Sequence, residues 1–399
     1  MLKFNSGLLY LVITLLFSAA GASTKAADFD DLKSKLRFTG LVKLDAIYDT
    51  AASAGDRINY TAIPITHDQA KNEVRLHARE TRLGISFQDH FNGHELKAYA
   101  EGDFFGGGSN SPSGSERIAN ATGFALRHAY IVYQGWLFGQ TWSNFVDVKS
   151  FPETLDLSNA TGQAFIRQGI VRYQYLSDSW MLSVAVENPD TDLLITEPVN
   201  ESQHSVETSE PFFDITARAS YRGPWGHVSG QTVLRTIDVS MGEVSHQQLA
   251  YGLGISGKLK LTSSDILRFH VSQGEGIGRY LQEASGATGI VFLSLAEPRY
   301  GHLKLLNTYG GYISYQRQLT PAIRANLSAG LLNIGLTEFR SLPSTDGYLR
   351  RLLSLHSNVI YEVFPRFEIG IEYALVNKRS LSGGTGQVRR WQFSALYRF

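Results

Sequence analysis

Eight basic residues, Lys43, Arg82, Arg127, Arg172, Arg218, Arg268, Arg324 and Arg390, each fall in a stretch where polar and apolar side chains alternate. A guanidinium is always charged and presents a planar fork that matches a carboxylate. Gathered in a constriction, such groups select ions of opposite sign. Glu101, Asp103, Glu368 and Glu372 stand on the same polar faces, so the set is mixed, and any single Arg could instead pair with a neighbouring acid and hold a wall together. Three further acids, Asp147, Glu153 and Asp156, lie in the connecting stretch Ser143–Ile166. Hydrolytic chemistry fits less well. His128, His270 and His356 lie on strand-like stretches, with His128 expected to face outward, but the chain has no G-x-S-x-G elbow to present a nucleophile and no H-x-x-x-H spacing for a metal. No cofactor is expected. Arg75, His77 and Arg79 fall out of register with Leu83, Ile85 and Phe87, which predicts a bulge or a place at an outer mouth.

The elements that carry these residues have period two. Leu96, Ala98, Ala100, Gly102 and Phe104 alternate with Glu95, Lys97, Tyr99, Glu101 and Asp103, and the same pattern recurs through Phe367–Leu375. Tight turns such as Asp89–Gly93, Gln134–Gly135, Gly223–Gly226 and Thr320–Pro321 separate longer polar stretches, among them Thr50–Asn72, Gly106–Gly123, Ser143–Ile166 and Gly274–Leu303. Short and long connections in alternation predict an all-β, antiparallel transmembrane barrel of about 16 strands over residues 37–399, with both termini on one side. Ser143–Ile166 follows the fifth strand, where 16-stranded porins fold their third long loop inward. A soluble β-sandwich would also alternate. Against it stand the charge on one face, aromatics such as Tyr48, Tyr221, Tyr373 and Tyr397 near strand ends, and the lack of any linker.

Lys plus Arg and Asp plus Glu both number 37, giving a net charge of +0, so no nucleic-acid partner is expected and selectivity must come from where charges sit. The 38 Gly, 19 Tyr and 22 Phe against 11 Pro favour strands and turns. Lys3 followed by the apolar run Leu8–Ala20 and the small residues Gly21–Ser23 reads as a secretory signal peptide within residues 1–26, cleaved after Ala22 or Ala26. The run is short for a spanning helix. Residues 27–36 are read as a short periplasmic segment. The chain ends on WQFSALYRF, a closing strand whose terminal Phe399 is expected to be read by the barrel-assembly machinery.

The stretches EGDFFGGG (Glu101–Gly108), LRHAYIVY (Leu126–Tyr133), GQTWSNF (Gly139–Phe145), TLDL (Thr154–Leu157) and IRQGIVRYQY (Ile166–Tyr175) together resemble the DcaP-like porin family. The resemblance implies a trimeric, 16-stranded outer-membrane channel with a basic constriction that takes small anionic molecules, including dicarboxylates. By position it implicates Arg127, Trp142, Arg167 and Arg172. Some members carry a longer N-terminal coiled coil, for which only Asp28–Lys35 is available here. A structural or adhesin-like barrel is the alternative, and it predicts no conductance.

Overall fold

The structure is a computed structural model that describes residues 29–50, 54–65, 72–106, 123–196, 207–241, 244–284, 286–292, 302–336, 339 and 348–399. The expected signal peptide, residues 1–26, lies outside them. The chain divides into two units, residues 1–37 and 38–399. In the first, α1 (Phe29–Lys35) carries an i,i+4 ion pair between Lys35 and Asp31 at 2.6 Å.

The second unit is a closed barrel of 16 antiparallel strands. Numbered along the chain, they are β1 (Leu36–Thr50), β2 (Glu73–His77 continued by Arg82–Phe91), β3 (His94–Gly106), β4 (Gly123–Tyr133) and β5 (Trp136–Trp142). Next come β6 (Arg167–Leu176), β7 (Trp180–Glu187), β8 (Glu207–Ser209 continued by Asp214–Gly223), β9 (Gly226–Met241), β10 (Val244–Lys260) and β11 (Asp265–Glu275). The last five are β12 (Asn307–Gln318), β13 (Ile323–Ile334), β14 (Leu349–Phe364), β15 (Phe367–Ser380) and β16 (Thr385–Arg398). Every strand pairs with its sequence neighbours, and β16 pairs with β1 from Leu41↔Arg398 to Thr50↔Arg389. The seam continues to the last residue: Gly40 and Phe399 exchange backbone hydrogen bonds of 3.2 and 3.0 Å. A terminal strand of this kind leaves no free edge.

The two faces of the wall differ as the alternation predicts. On β10, Leu249, Leu253 and Ile255 are 68%, 60% and 58% exposed, while Gly254 and Ser256 between and beside them are buried. Aromatics cluster on the exposed face near the short turns, with ring pairs Trp136–Tyr173 and Trp180–Tyr221 each 5.0 Å apart. The turns themselves follow local backbone chemistry: Asn92 and Gly93, like Gln134 and Gly135, both have positive φ, the conformation of a two-residue hairpin that matches strand twist.

Two departures from regular pairing matter for the site. Between His77 and Arg82 the β2 ladder breaks, and Arg75 and Arg79 turn to Asp56 at 3.2 and 2.5 Å, so the out-of-register basic residues mark an interruption in the wall. In β4, Glu101 pairs with His128 but Gly102 with Leu126, leaving Arg127 as the extra residue of a bulge. The bulge reverses the expected facing of His128. It is 8% exposed, and its Nδ1 lies 2.9 Å from Thr141 Oγ1.

Candidate functional site

A buried apolar cluster joins three connections to the wall. Ala54, Ile58, Tyr60 and Ile63 follow β1. Phe145, Val146 and Ala164 follow β5, and Ile277, Tyr280, Leu281, Ala284 and Ile290 follow β11. They pack with Leu332, Leu352, Ala374, Val376 and Val388 of β13 to β16. The strands alternate apolar-out and polar-in over most of their length, and these inward apolar residues stand at the long-loop ends, where the connections need a partner. The β11–β12 connection is tied to residues 143–166 by the bridge Ala164↔Leu281 and the bond from Phe165 N to Tyr280 O at 3.1 Å. Contribution of that connection was not expected from sequence, although Ile277, Leu281 and Ala284 stand apart as small apolar steps in a polar stretch.

Residues 143–166 make their remaining contacts with strands spread around the barrel. Asp147 accepts hydrogen bonds from Ser256 (2.9 Å) and contacts His227 Nε2 at 2.7 Å, with Arg218 3.8 Å away. Burial alone would raise the Asp147 carboxyl, but the His227 bond and then the Arg218 charge hold it below the usual carboxylate range. Glu153 takes a fork of bonds from Arg324 at 2.7–3.0 Å and one from Gln316 at 2.7 Å, and Arg324 also reaches Glu368 at 2.8 Å. Asp156 is held at 2.6 Å by Arg390, which donates two further bonds of 2.7 Å to Asp49. Burial acts first on Asp156 and upward, but the Arg390 charge and the Ser158 N–H outweigh it, leaving the carboxyl depressed. Lys43 Nζ donates to Leu155 O (2.6 Å) and pairs with Glu80 and Asp45. At Gly162 (φ +79) the backbone presses directly on the wall: a Cβ there would stand 2.1 Å from Leu331 O and 2.4 Å from Gly311 N. Only glycine fits such an approach.

These contacts sort the eight basic residues. Arg390, 1% exposed, Arg324 and Lys43 are clamps between wall and loop, with their charge neutralised. Arg218 donates to Val146 O at 2.7 Å, and Arg268 donates to Gln316 Oε1 at 2.9 Å. Arg127 pairs with Asp103 at 2.8 Å, while Arg82 stands 3.7 Å from Glu101. Arg172 has no carboxylate partner among the described residues, and its Nε is buried without an acceptor. Arg167, flagged only by the family resemblance, also has no carboxylate at salt-bridge distance among the described residues, with Asp103 and Glu101 within electrostatic reach. Its guanidinium sits 3.6 Å over the Trp142 ring and 5.3 Å from that of Phe165, a cation–π seat. Trp142 is braced edge-on by Phe165 (4.7 Å) and Phe151 (5.4 Å). Arg167 lies within electrostatic reach of Arg82 and Arg127. Arg57, in the β1–β2 connection, joins the same group; burial and then repulsion from Arg127 depress its guanidinium. Arg57 lies outside any strand, so no period-two pattern marks it.

A family model described as DcaP outer membrane protein matches residues 4–399. The chain belongs to the DcaP family. The outer membrane channel DcaP of Acinetobacter baumannii is 22% identical, with 95% of this chain and 100% of that one covered at a TM-score of 0.76. An anion-selective porin from Comamonas acidovorans is 12% identical (91% and 99% covered, TM-score 0.55). OmpF of Salmonella typhi, in complex with daunomycin, is 10% identical (93% and 99% covered, TM-score 0.57). No curated protein matches the chain. At these identities the solved structures speak for the fold, and the family match for an outer-membrane channel of a Gram-negative bacterium. The exposed apolar band of this DcaP-family barrel is therefore its membrane face.

Proposed function

We propose that this channel passes small, preferentially anionic solutes, dicarboxylates among them, by diffusion rather than catalysis. The observation that carries the reading is the basic group Arg57, Arg82, Arg127 and Arg167, in which Arg167 has no carboxylate at salt-bridge distance among the described residues while all three acids of residues 143–166 are engaged. Unneutralised guanidinium groups beside a narrow passage favour anions although the whole chain is neutral. In this reading residues 143–166 lie within the barrel and narrow it. Support comes from their bonds to β1, β9, β10 and β12 to β16, on widely separated parts of the wall. Single-channel reversal potentials under a salt gradient test the assignment: an anion preference is expected, and a cation preference at low salt would overturn it.

The reading extends to assembly. The exposed patch Phe38, Leu83, Ile85, Phe124, Leu126 and Phe399, with Gly40 and Gly102 under its rings, suits a close contact between protomers of a homotrimer. A porin-fold protein of Vibrio cholerae, OmpT, 9% identical at TM-score 0.55, is described in a trimer form. Outer-membrane lipid covers the rest of the band, the Phe399 strand engages the assembly machinery, residues 1–26 are removed as a signal, and residues 27–36 remain on the periplasmic side.

A further inference from the structure

Between residues 141–149 and the short-turn ends of β6 to β9 lies a cavity of about 380 Å³, lined by Lys149, Arg172, Arg218, Arg222, His227 and Trp142 among others. Its charges come from separate segments. Arg222 is fixed at the rim by bonds to Asp178 O (3.0 Å) and Ser177 O (2.7 Å), and Arg218 is fixed by Val146 O. Asp147 is the single carboxylate in this lining, and it is taken up by His227 and Ser256. Lys149 is exposed, and neither its ammonium nor the Arg172 guanidinium has an acid partner among the described residues. The pocket therefore carries surplus positive charge, with two free cations facing it from different sides: Lys149 from the loop and Arg172 from the wall.

We propose that this pocket is a second anion-binding station, on the short-turn side of residues 143–166, for a small doubly charged oxyanion. The proposal rests on the channel reading above and adds a site to it. A dianion can engage both free cations at once, bridging loop and wall, whereas a single carboxylate satisfies one. The Arg172 fork suits a carboxylate or phosphate group, and the Gln174 amide in the same lining offers a further donor. Two stations in series let an arriving anion repel the one ahead, so the solute is held without being trapped.

The test uses the full-length protein reconstituted with known sidedness, with current block by succinate or inorganic phosphate titrated from each side. The double variant Lys149→Gln, Arg172→Gln is expected to raise the half-blocking concentration from the short-turn side roughly a hundredfold, the loss of two charge-assisted hydrogen bonds. Block from the opposite side should stay nearly unchanged. Arg167→Gln should weaken block from both sides, and Lys149→Arg should retain the wild-type response. An equal shift from both sides in the double variant, or none, overturns the second station while leaving anion preference intact. A wild-type channel that prefers cations overturns the channel reading as well.

Discussion

At the scale of single residues, the arginines divide by partner. Those bonded to carboxylates hold structure, and those seated on aromatic rings or without an acid partner among the described residues are the ones the proposed reading assigns to solute. Replacing Arg167 or Arg172 by Gln is expected to lower anion selectivity without loss of folding, read as a reversal potential moving toward zero. Arg390→Ala should do the opposite. It leaves Asp49 and Asp156 buried and unpaired, a loss of roughly 3–5 kcal/mol for a broken buried pair, seen as a lower temperature for loss of the folded form on gels. Glu283, buried against Gly162 N, offers a pH test. Burial raises its carboxyl to about 8, with only backbone N–H groups opposing. Docking of the β11–β12 connection therefore takes up a proton: it is fully favoured below about 4.5, the ordinary range, and weakens as pH rises through about 8. Conductance should step upward between pH 7 and 9, and Glu283→Gln should remove the step. A step that survives the substitution would assign it to another group.

At the scale of elements, the strands were legible and the inter-loop contacts were not. Period two and turn residues are local, so the strand order, the 16-fold count and the place of residues 143–166 after β5 could be read directly. The clamp of Arg390 on Asp49 and Asp156 joins residues more than 200 positions apart in one case and 300 in the other, and no local pattern announces it. Sequence alone therefore left open whether Arg390 and Arg324 line the lumen or pair with an acid. The His128 facing failed for a different reason: one extra residue in β4 shifts every side chain beyond it to the other face. Deleting residues 148–162 should raise single-channel conductance, because it removes the polypeptide pressed against Gly311, Gly330 and Leu331. Unchanged conductance in a folded deletion would place the segment outside the passage.

At the scale of the whole molecule, a neutral chain with the proposed basic passage makes a distinct prediction about salt. The Debye length falls from about 10 Å at 0.1 M to about 3 Å at 1 M, so selectivity set by side chains near the path should decline steadily across that range. Mass measurement in detergent should give three copies, and a protein that stays monomeric would remove the Gly40–Gly102 patch from consideration as a protomer contact. The seam has a consequence for timing. Arg390 belongs to β16, the last strand along the chain, yet its partners Asp49 and Asp156 belong to the first strand and the loop after the fifth. The residue that fastens the proposed constriction thus arrives only when the ends of the chain meet. Until the barrel shuts, the loop lacks its Arg390 anchor, and a barrel left open at its seam would also be left with that proposed constriction unfastened.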